Sequence, residues 1–345
     1  MTATMSAHTP LLSVFIPTFN GEKYVREAIE SVLDNGFPDL EIVVVDDGSA
    51  DGTVQAVEAI KHPALRLSRN PANLGVVATR DQSVSLLRGR YLALLDQDDI
   101  AVAGRFEKQI ARLEAADGPD IIGGAVECFG DEEGQYFFPA GDAKIKASLL
   151  FFVCPLANPT ICMKLAPLRE GRIRYSTDIG VAADYAMWVD AMRAGMRFEN
   201  LPEVVTRYRR HREAMTRKLP AECAASGRLV RQKVVDLFFP ALSADERAAL
   251  IDTLSTNLSG GTRWLDGVYA LSHAAMLAQD VPGIDSAWLI KSLENVTVSM
   301  IERALKAGNA DNETLEMMTE KSEHFERWRA IDSGALDARI MALVR

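Results

Sequence analysis

The chain is predicted to be an α/β protein, a mostly parallel mixed sheet with flanking helices, extended at its C-terminus by helices alone. Three observations predict it. Short β-branched runs alternate with helical patterns through the first hundred residues, two of those runs end in clusters of carboxylates, and strand-like runs disappear beyond about Arg217. Alternation of this kind implies parallel strands with helices on both faces of the sheet.

Leu11 to Ile16 and Leu40 to Val45 are aliphatic runs of strand length. Between them Val25, Ala28, Ile29, Val32 and Leu33 recur at helical spacing, which completes a βαβ unit. A helix over Thr53 to Ile60, a short strand over Leu65 to Ser68, a helix over Val76 to Leu87 and a strand over Tyr91 to Leu95 continue the pattern. Leu92 to Leu95 is apolar on both parities, as in a strand covered on both faces. A helix follows over Arg105 to Ala116. Pro119 to Gly141 then reads as a hairpin or an added mixed-sheet segment, with turn residues Gly130, Asp131 and Gly134 between its strands. A helix over Ala182 to Ala194 stops at Gly195, and residues 220 to 345 read as an α-helical extension to a domain of residues 1 to 219.

The composition is 48% hydrophobic over 345 residues, enough for a sizeable core. Thirty-eight basic residues against 48 acidic ones, a net charge of −10, argue against nucleic acid as a partner. No apolar run approaches the roughly 18 to 20 residues of a membrane span, and MTATMSAHTP is not a signal peptide, so a cytoplasmic protein is expected. Cys128, Cys154, Cys162 and Cys223 form no C-x-x-C pair; they are expected reduced, with Cys154 and Cys162 in the core.

The chemistry gathers at the strand ends. YLALLDQDDI closes on Asp96, Asp98 and Asp99, and EIVVVDDGSADGT on Asp46, Asp47 and Asp51. Open α/β sheets bind ligands beyond the carboxyl ends of their strands, and carboxylates one residue apart suit a hard divalent cation whose shell a diphosphate completes. Asp-Gln-Asp-Asp also reads as a helix cap, and Asp47 to Thr53 as an Asx turn. Downstream, RYRRHREAMTRK places six Lys or Arg residues and His211 within one stretch, which suits a phosphate.

VFIPTFNGEKYVREAIESVL, EIVVVDDGSADGT, NLGVVATRDQSV and YLALLDQDDI, in this order and spacing, resemble the inverting glycosyltransferases of family 2. The resemblance covers about residues 11 to 110, with weaker matches to about Arg217. It implies the GT-A fold, Rossmann-like, and metal-dependent transfer of a sugar from a nucleoside-diphosphate sugar, UDP first, to a carbohydrate or glycolipid acceptor. Pro17, Thr18 and Phe19 would lie along the base, with Asp47 on a base edge and Arg80 near it. Asp96 would sit near the ribose, and Asp98 would hold Mn²⁺ or Mg²⁺.

VAADYAMWVDAMRAG resembles the family's acidic helix start, which makes Asp184 the expected general base; the family often has Glu where this chain has Ala183. Tyr208 to His211 resemble the Tyr-Arg-x-His element, which brings Arg209 to the leaving group and His211 to the metal. Asn158 and Thr160, with Trp188 on the Asp184 helix, are candidates for the acceptor pocket. Asp81 stands where the family commonly has Asn, and either weakens the base contact or pairs with Arg80.

Other readings are a catalytically silent scaffold with this fold and a sugar nucleotidyltransferase. The second needs a Gly-rich loop after the first strand, where PTFNGEK stands instead. GRLVRQKVVDLFF, with apolar Leu229, Val230, Val234, Leu237 and Phe238, packs on the protein or lies peripherally on a membrane. Leu289 to Leu305 is a candidate oligomer contact.

Overall fold

The computed structural model describes residues 9–150, 154–255, 263–278, 281 and 283–306. The chain divides into two compact units. The first holds the chain up to Gly141 and Pro155–Pro220; the second holds Asp142–Cys154 and the chain from Ala221.

In the first unit the elements are β1 (Leu12–Thr18), α1 (Val25–Asp34), β2 (Leu40–Asp46), α2 (Thr53–Glu58), β3 (Leu65–Arg69), α3 (Val76–Ser83), β4 (Tyr91–Leu94), β5 (Ile100–Ala101), α4 (Arg105–Glu114), β6 (Ile121–Gly130) and β7 (Gly134–Tyr136). After α5 (Asp142–Leu150), which belongs to the second unit, come β8 (Cys162–Lys164), α6 (Ala166–Arg169), α7 (Ala183–Arg193), β9 (Phe198–Arg210) and α8 (Met215–Lys218). The sheet runs β3-β2-β1-β4-β8-β6-β9-β5, with β7 added on β6. β1 to β4 are parallel; β8 runs against both β4 and β6, which makes the sheet mixed. The core under it is apolar, with Leu12, Val14, Ile16, Ile42, Val44 and Ala93 of the strands packed against Val25, Ile29, Phe106 and Ile110 of the helices. Each of the larger of these side chains contributes about 1.5–3 kcal/mol by leaving water.

Several expectations are corrected. The two acidic strand ends, read from the sequence as belonging to neighbouring strands, are separated by β1, which lies between β2 and β4. The Asp-Gln-Asp-Asp segment is no helix cap: α4 begins at Arg105, after Gly104 in the left-handed region at φ 74°. The hairpin of β6 and β7 forms as expected, but the 13-residue β9 was not foreseen. It pairs in parallel with β6, with register shifts around Ala125. Cys162 is buried as expected and its thiol is pushed up to about 12 by burial; the other fully buried cysteine is Cys128, while Cys154 is half-buried. No cysteine is in a disulfide.

In the second unit α9 (Pro220–Phe238), α10 (Ala244–Ser255), α11 (Arg263–Ala278) and α12 (Ser286–Lys306) accompany α5. α10 packs on α11, α11 on α12, and α12 on α5. α9 buries Val230, Val234 and Val235, whereas Leu229, expected on its apolar face, is 47% exposed. Among the described residues no helix is long and apolar enough to cross a membrane. Residues 256–262 and the chain beyond Lys306 lie outside the described residues.

Candidate active site at the carboxyl edge of the sheet

Strands β1, β2 and β4 are parallel, so the loops after them share one edge. Side chains tie these loops together. Gln97 Oε1 accepts from Thr18 Oγ1 at 2.5 Å and from the Phe19 amide at 2.9 Å, while its Nε2 donates to the Phe19 carbonyl at 3.2 Å. Asn20 takes the left-handed conformation, φ 47°, which Asn tolerates better than most residues. Its amide donates to Ser49 Oγ at 2.8 Å, and its Oδ1 accepts from the Ala50 amide at 3.0 Å. The expected Asx turn is present: Asp51 Oδ1 accepts from the Thr53 amide at 3.0 Å.

Of the residues expected along the base, Phe19 is 41% exposed, Pro17 is half-buried and Thr18 is buried. Asp47 is buried too. Its carboxylate accepts from Asn70 Nδ2 at 2.8 Å, from the Leu74 amide at 3.0 Å and from the Gly75 amide at 2.8 Å. Burial pushes its pKa up, but these bonds together with Thr79 outweigh burial and hold it below the usual value. In this conformation Asp47 therefore fastens the loop before α3 and does not face outward. Gly48 (φ 78°) makes that closeness feasible, since a Cβ there would lie 2.8 Å from the Ala72 carbonyl carbon.

The β4 edge differs. Arg80 Nη2 binds Asp96 Oδ1 at 2.7 Å, with the Arg80 side chain 10% exposed. Asp81 does not pair with Arg80; it faces Arg174 at 3.3 Å. Burial raises the Asp96 pKa and the nearby Asp98 adds to it, against the opposing charge of Arg80. Asp98 Oδ2 lies 2.7 Å from His211 Nε2, a contact that a shared proton or a cation makes favourable. Asp99 is buried, with Oδ1 accepting from the Arg209 amide at 2.8 Å and Oδ2 unpartnered. Burial, then Asp96 and Asp98, push its pKa well up.

Asp184 stands in the first turn of α7, and its Oδ1 accepts from the Tyr185 amide at 2.7 Å. Burial raises its pKa, the Arg80 charge opposes, and Arg80 in turn is held protonated by Asp96 and Asp184 against the effect of its own burial. The Arg80 charge thus acts both on Asp96 at the β4 edge and on Asp184 of α7. The Arg80 Cζ lies 5.9 Å from the centre of the Tyr175 ring.

Three expected acceptor residues are corrected or moved. Thr160 and Trp188 are fully buried and offer no surface to an acceptor; Thr160 Oγ1 donates to the Ala157 carbonyl at 2.6 Å. Asn158 is 8% exposed, and both polar atoms of its side chain lack partners. Arg209, expected on the leaving group, directs its Nε to the Asp98 carbonyl at 2.9 Å and pairs with Glu27.

Sequence reading missed Gln97, Tyr24 and Arg105. Arg105 is buried under the acidic edge and donates to Gln109, Thr206 Oγ1 and the carbonyls of Leu94 and Ile161. Burial lowers it to about 10. An Arg in the first turn of an amphipathic helix has no sequence signal of burial; Gln97, inside the acid cluster, could have been found.

The family model described as glycosyl transferase family 2 matches residues 13–171. An uncharacterized glycosyltransferase of Methanocaldococcus jannaschii is 30% identical over 210 residues, which span 58% of this chain and 71% of the relative. One of Haemophilus influenzae is 31% identical over 217 residues; the match covers 59% of this chain and 66% of that relative's length. Among solved structures, S. aureus TarS 1-349 matches with a TM-score of 0.54 at 17% identity, over 95% of this chain and 91% of TarS. TarS 1-349 is also solved with UDP and with UDP-GlcNAc. The mannosyltransferase PcManGT of Pyrobaculum calidifontis, in complex with GDP-Man and Mn2+, matches with a TM-score of 0.51 at 17% identity, over 98% and 88% of the two chains. At such identity the structures speak for the fold, and the sequence relatives for the family. With its motifs, its mixed sheet and these relatives, the chain belongs to glycosyl transferase family 2, a family of enzymes, and has the GT-A fold.

Proposed function

We propose that this chain transfers a sugar from a nucleoside-diphosphate sugar to a hydroxyl of a carbohydrate or glycolipid acceptor, inverting the anomeric carbon. The observation that carries the reading is the convergence on Arg80 of two carboxylates, Asp96 at 2.7 Å and Asp184 within electrostatic reach, beside the Asp98–His211 pair. An acid whose proton affinity is raised and which stands beside a cation suits a general base.

In a single displacement the acceptor oxygen forms its bond to the anomeric carbon as the bond to the diphosphate breaks, and the acceptor proton passes to the Asp184 carboxylate. Tyr185 N–H fixes one carboxylate oxygen, which aims the other. Burial raises the proton affinity of Asp184, and the Arg80 charge opposes that rise. The loop of Pro17, Thr18 and Phe19 is assigned to the base, with Asp47 beneath it, and Asp96 to the ribose.

Asp98 and His211 fit a Mn²⁺ or Mg²⁺ ion as a two-residue site of oxygen and nitrogen donors. Among the described residues no group of three such side chains meets, so Asp98 and His211 are the residues that would hold such an ion. Such an ion, when bound, takes up negative charge on the leaving group. Residues 1 to 219 are assigned the transfer chemistry and the helices from 220 a supporting role.

The test incubates a panel of UDP-, GDP- and dTDP-sugars with Mn²⁺ and simple sugar acceptors and follows nucleoside diphosphate release. Release that Asp184→Asn and Asp98→Ala both abolish supports the reading. A product that retains the donor's anomeric configuration would falsify it.

A further inference from the structure

Arg209 is the next-to-last residue of β9, two positions before His211. Its amide donates to Asp99 Oδ1 at 2.8 Å, and its Nε to the Asp98 carbonyl at 2.9 Å. The guanidinium lies near two rings, 4.7 Å from the centre of Tyr24 and 4.3 Å from that of Phe129. Its Nη2 pairs with Glu27 of α1. The Tyr24 ring also meets the His211 ring, with centroids 5.2 Å apart. One residue thus connects α1, the loop after β4, β6 and the end of β9.

An arginine that grips a phosphate offers its fork of donors outward. Here the centres of two aromatic rings lie within 4.7 Å of the guanidinium carbon, Nε–H is taken by a carbonyl and Nη2 by a carboxylate, and the side chain is 16% exposed. We propose that Arg209 is a positioning residue. Braced by Tyr24, Phe129 and Glu27, it sets the Asp98–Asp99 turn against His211 and does not itself bind the diphosphate. The inference rests on the reading of Asp98 and His211 as the cation-holding pair.

Residues that orient metal ligands, when changed, typically cost about 10- to 100-fold in metal affinity. Lysine keeps the charge of Arg209 but lacks the flat fork that reaches a carbonyl and a carboxylate beside two rings. Glu27 is 55% exposed in its side chain, so Glu27→Gln loosens the brace with no cavity and no buried loss.

The full chain, as wild type, Arg209→Lys, Glu27→Gln and Asp98→Ala, is titrated with UDP and with GDP, each with and without Mn²⁺, by calorimetry. Thermal melts are recorded in parallel. Arg209→Lys is expected to weaken Mn²⁺-dependent nucleotide binding about tenfold and to leave Mn²⁺-free binding unchanged. Glu27→Gln is expected to act in the same direction by a smaller factor, at an unchanged Tm. Equal weakening by Arg209→Lys with and without Mn²⁺ overturns the inference in favour of a direct phosphate contact. Tighter binding by Glu27→Gln overturns it too, because Glu27 would then be withholding Arg209 from the ligand. So does wild-type behaviour of both variants where Asp98→Ala abolishes the Mn²⁺ dependence. If Asp98→Ala keeps that dependence, or the wild type binds neither nucleotide, the cation reading itself fails and the inference falls with it.

Discussion

Two acidic strand ends stand on either side of β1, and their electrostatics are opposite. At the end of β2, donors are plentiful: Asp46 accepts from the Ser49 amide and pairs with Arg69 at 3.1 Å, and Asp47 accepts three hydrogen bonds from the loop between β3 and α3. At the end of β4, Asp96, Asp98 and Asp99 crowd together, Asp96 and Asp99 are raised, and Asp99 Oδ2 has no partner. Carboxylates alone therefore do not distinguish a fastening from a reactive site. The supply of donors separates these two edges, and the shorter supply at the β4 edge suits the site proposed there.

Chemistry gives the largest contrast. Asp98→Ala and Asp184→Asn should each lower the transfer rate by about 10³-fold or more, with Tm shifted by only a few degrees, as initial rates and thermal melts will check. Rates that survive both substitutions would reduce the β4 edge to a second fastening. Stability should rank the other way. Asp47→Ala strands the Asn70 amide and two backbone N–H groups, so urea unfolding should show a loss of about 2–4 kcal/mol, while Asp96→Asn should cost less because it also relieves crowding. Equal losses would break the comparison.

A cation sharpens it. Mn²⁺ at about ten times its dissociation constant should stabilise the fold by about 1.4 kcal/mol, an increment that Asp98→Ala removes and Asp47→Asn keeps. Glu246 of the helical unit is a well-partnered reference. Burial pushes its pKa up, but His273 Nδ1 at 2.8 Å and both the amide and hydroxyl of Ser243 outweigh it and bring it to about 2. A depressed acid stabilises above its unfolded pKa, here 4.5, and that contribution is lost as pH falls toward about 2. Helix content followed by circular dichroism should fall over this window, and Glu246→Gln should flatten the fall by roughly 1 kcal/mol. The smallest effect belongs to Asp81→Asn. Its partner Arg174 is 68% exposed, so unfolding should change by less than about 0.5 kcal/mol.

The first half of the fold was legible because β1, β2 and β4 are apolar on both parities and buried on both faces. β9 was not. FENLPEVVTRYRR carries Pro202 and several charges, and its strand character comes from pairing with β6, which no local pattern encodes. Asp96, Asp98, Asp184 and His211 were legible as motif residues, and the structure brings Asp98 to His211. Thr160 and Trp188 were misplaced because the same motifs do not say how deep a side chain lies. Arg105 and Tyr24 escaped because burial of a charge and stacking on a histidine are properties of packing alone.

The Asp98–His211 contact joins residues 113 positions apart, across the last strand to enter the sheet. Pairings of such separation form late, after the local βαβ closures. Before β9 docks, the carboxylates after β4 face one another with neither His211 nor Arg209 in place. On the proposed reading of Asp98 and His211, a chain shortened before β9 would therefore lack the cation-holding pair, however well its first βαβ units had closed.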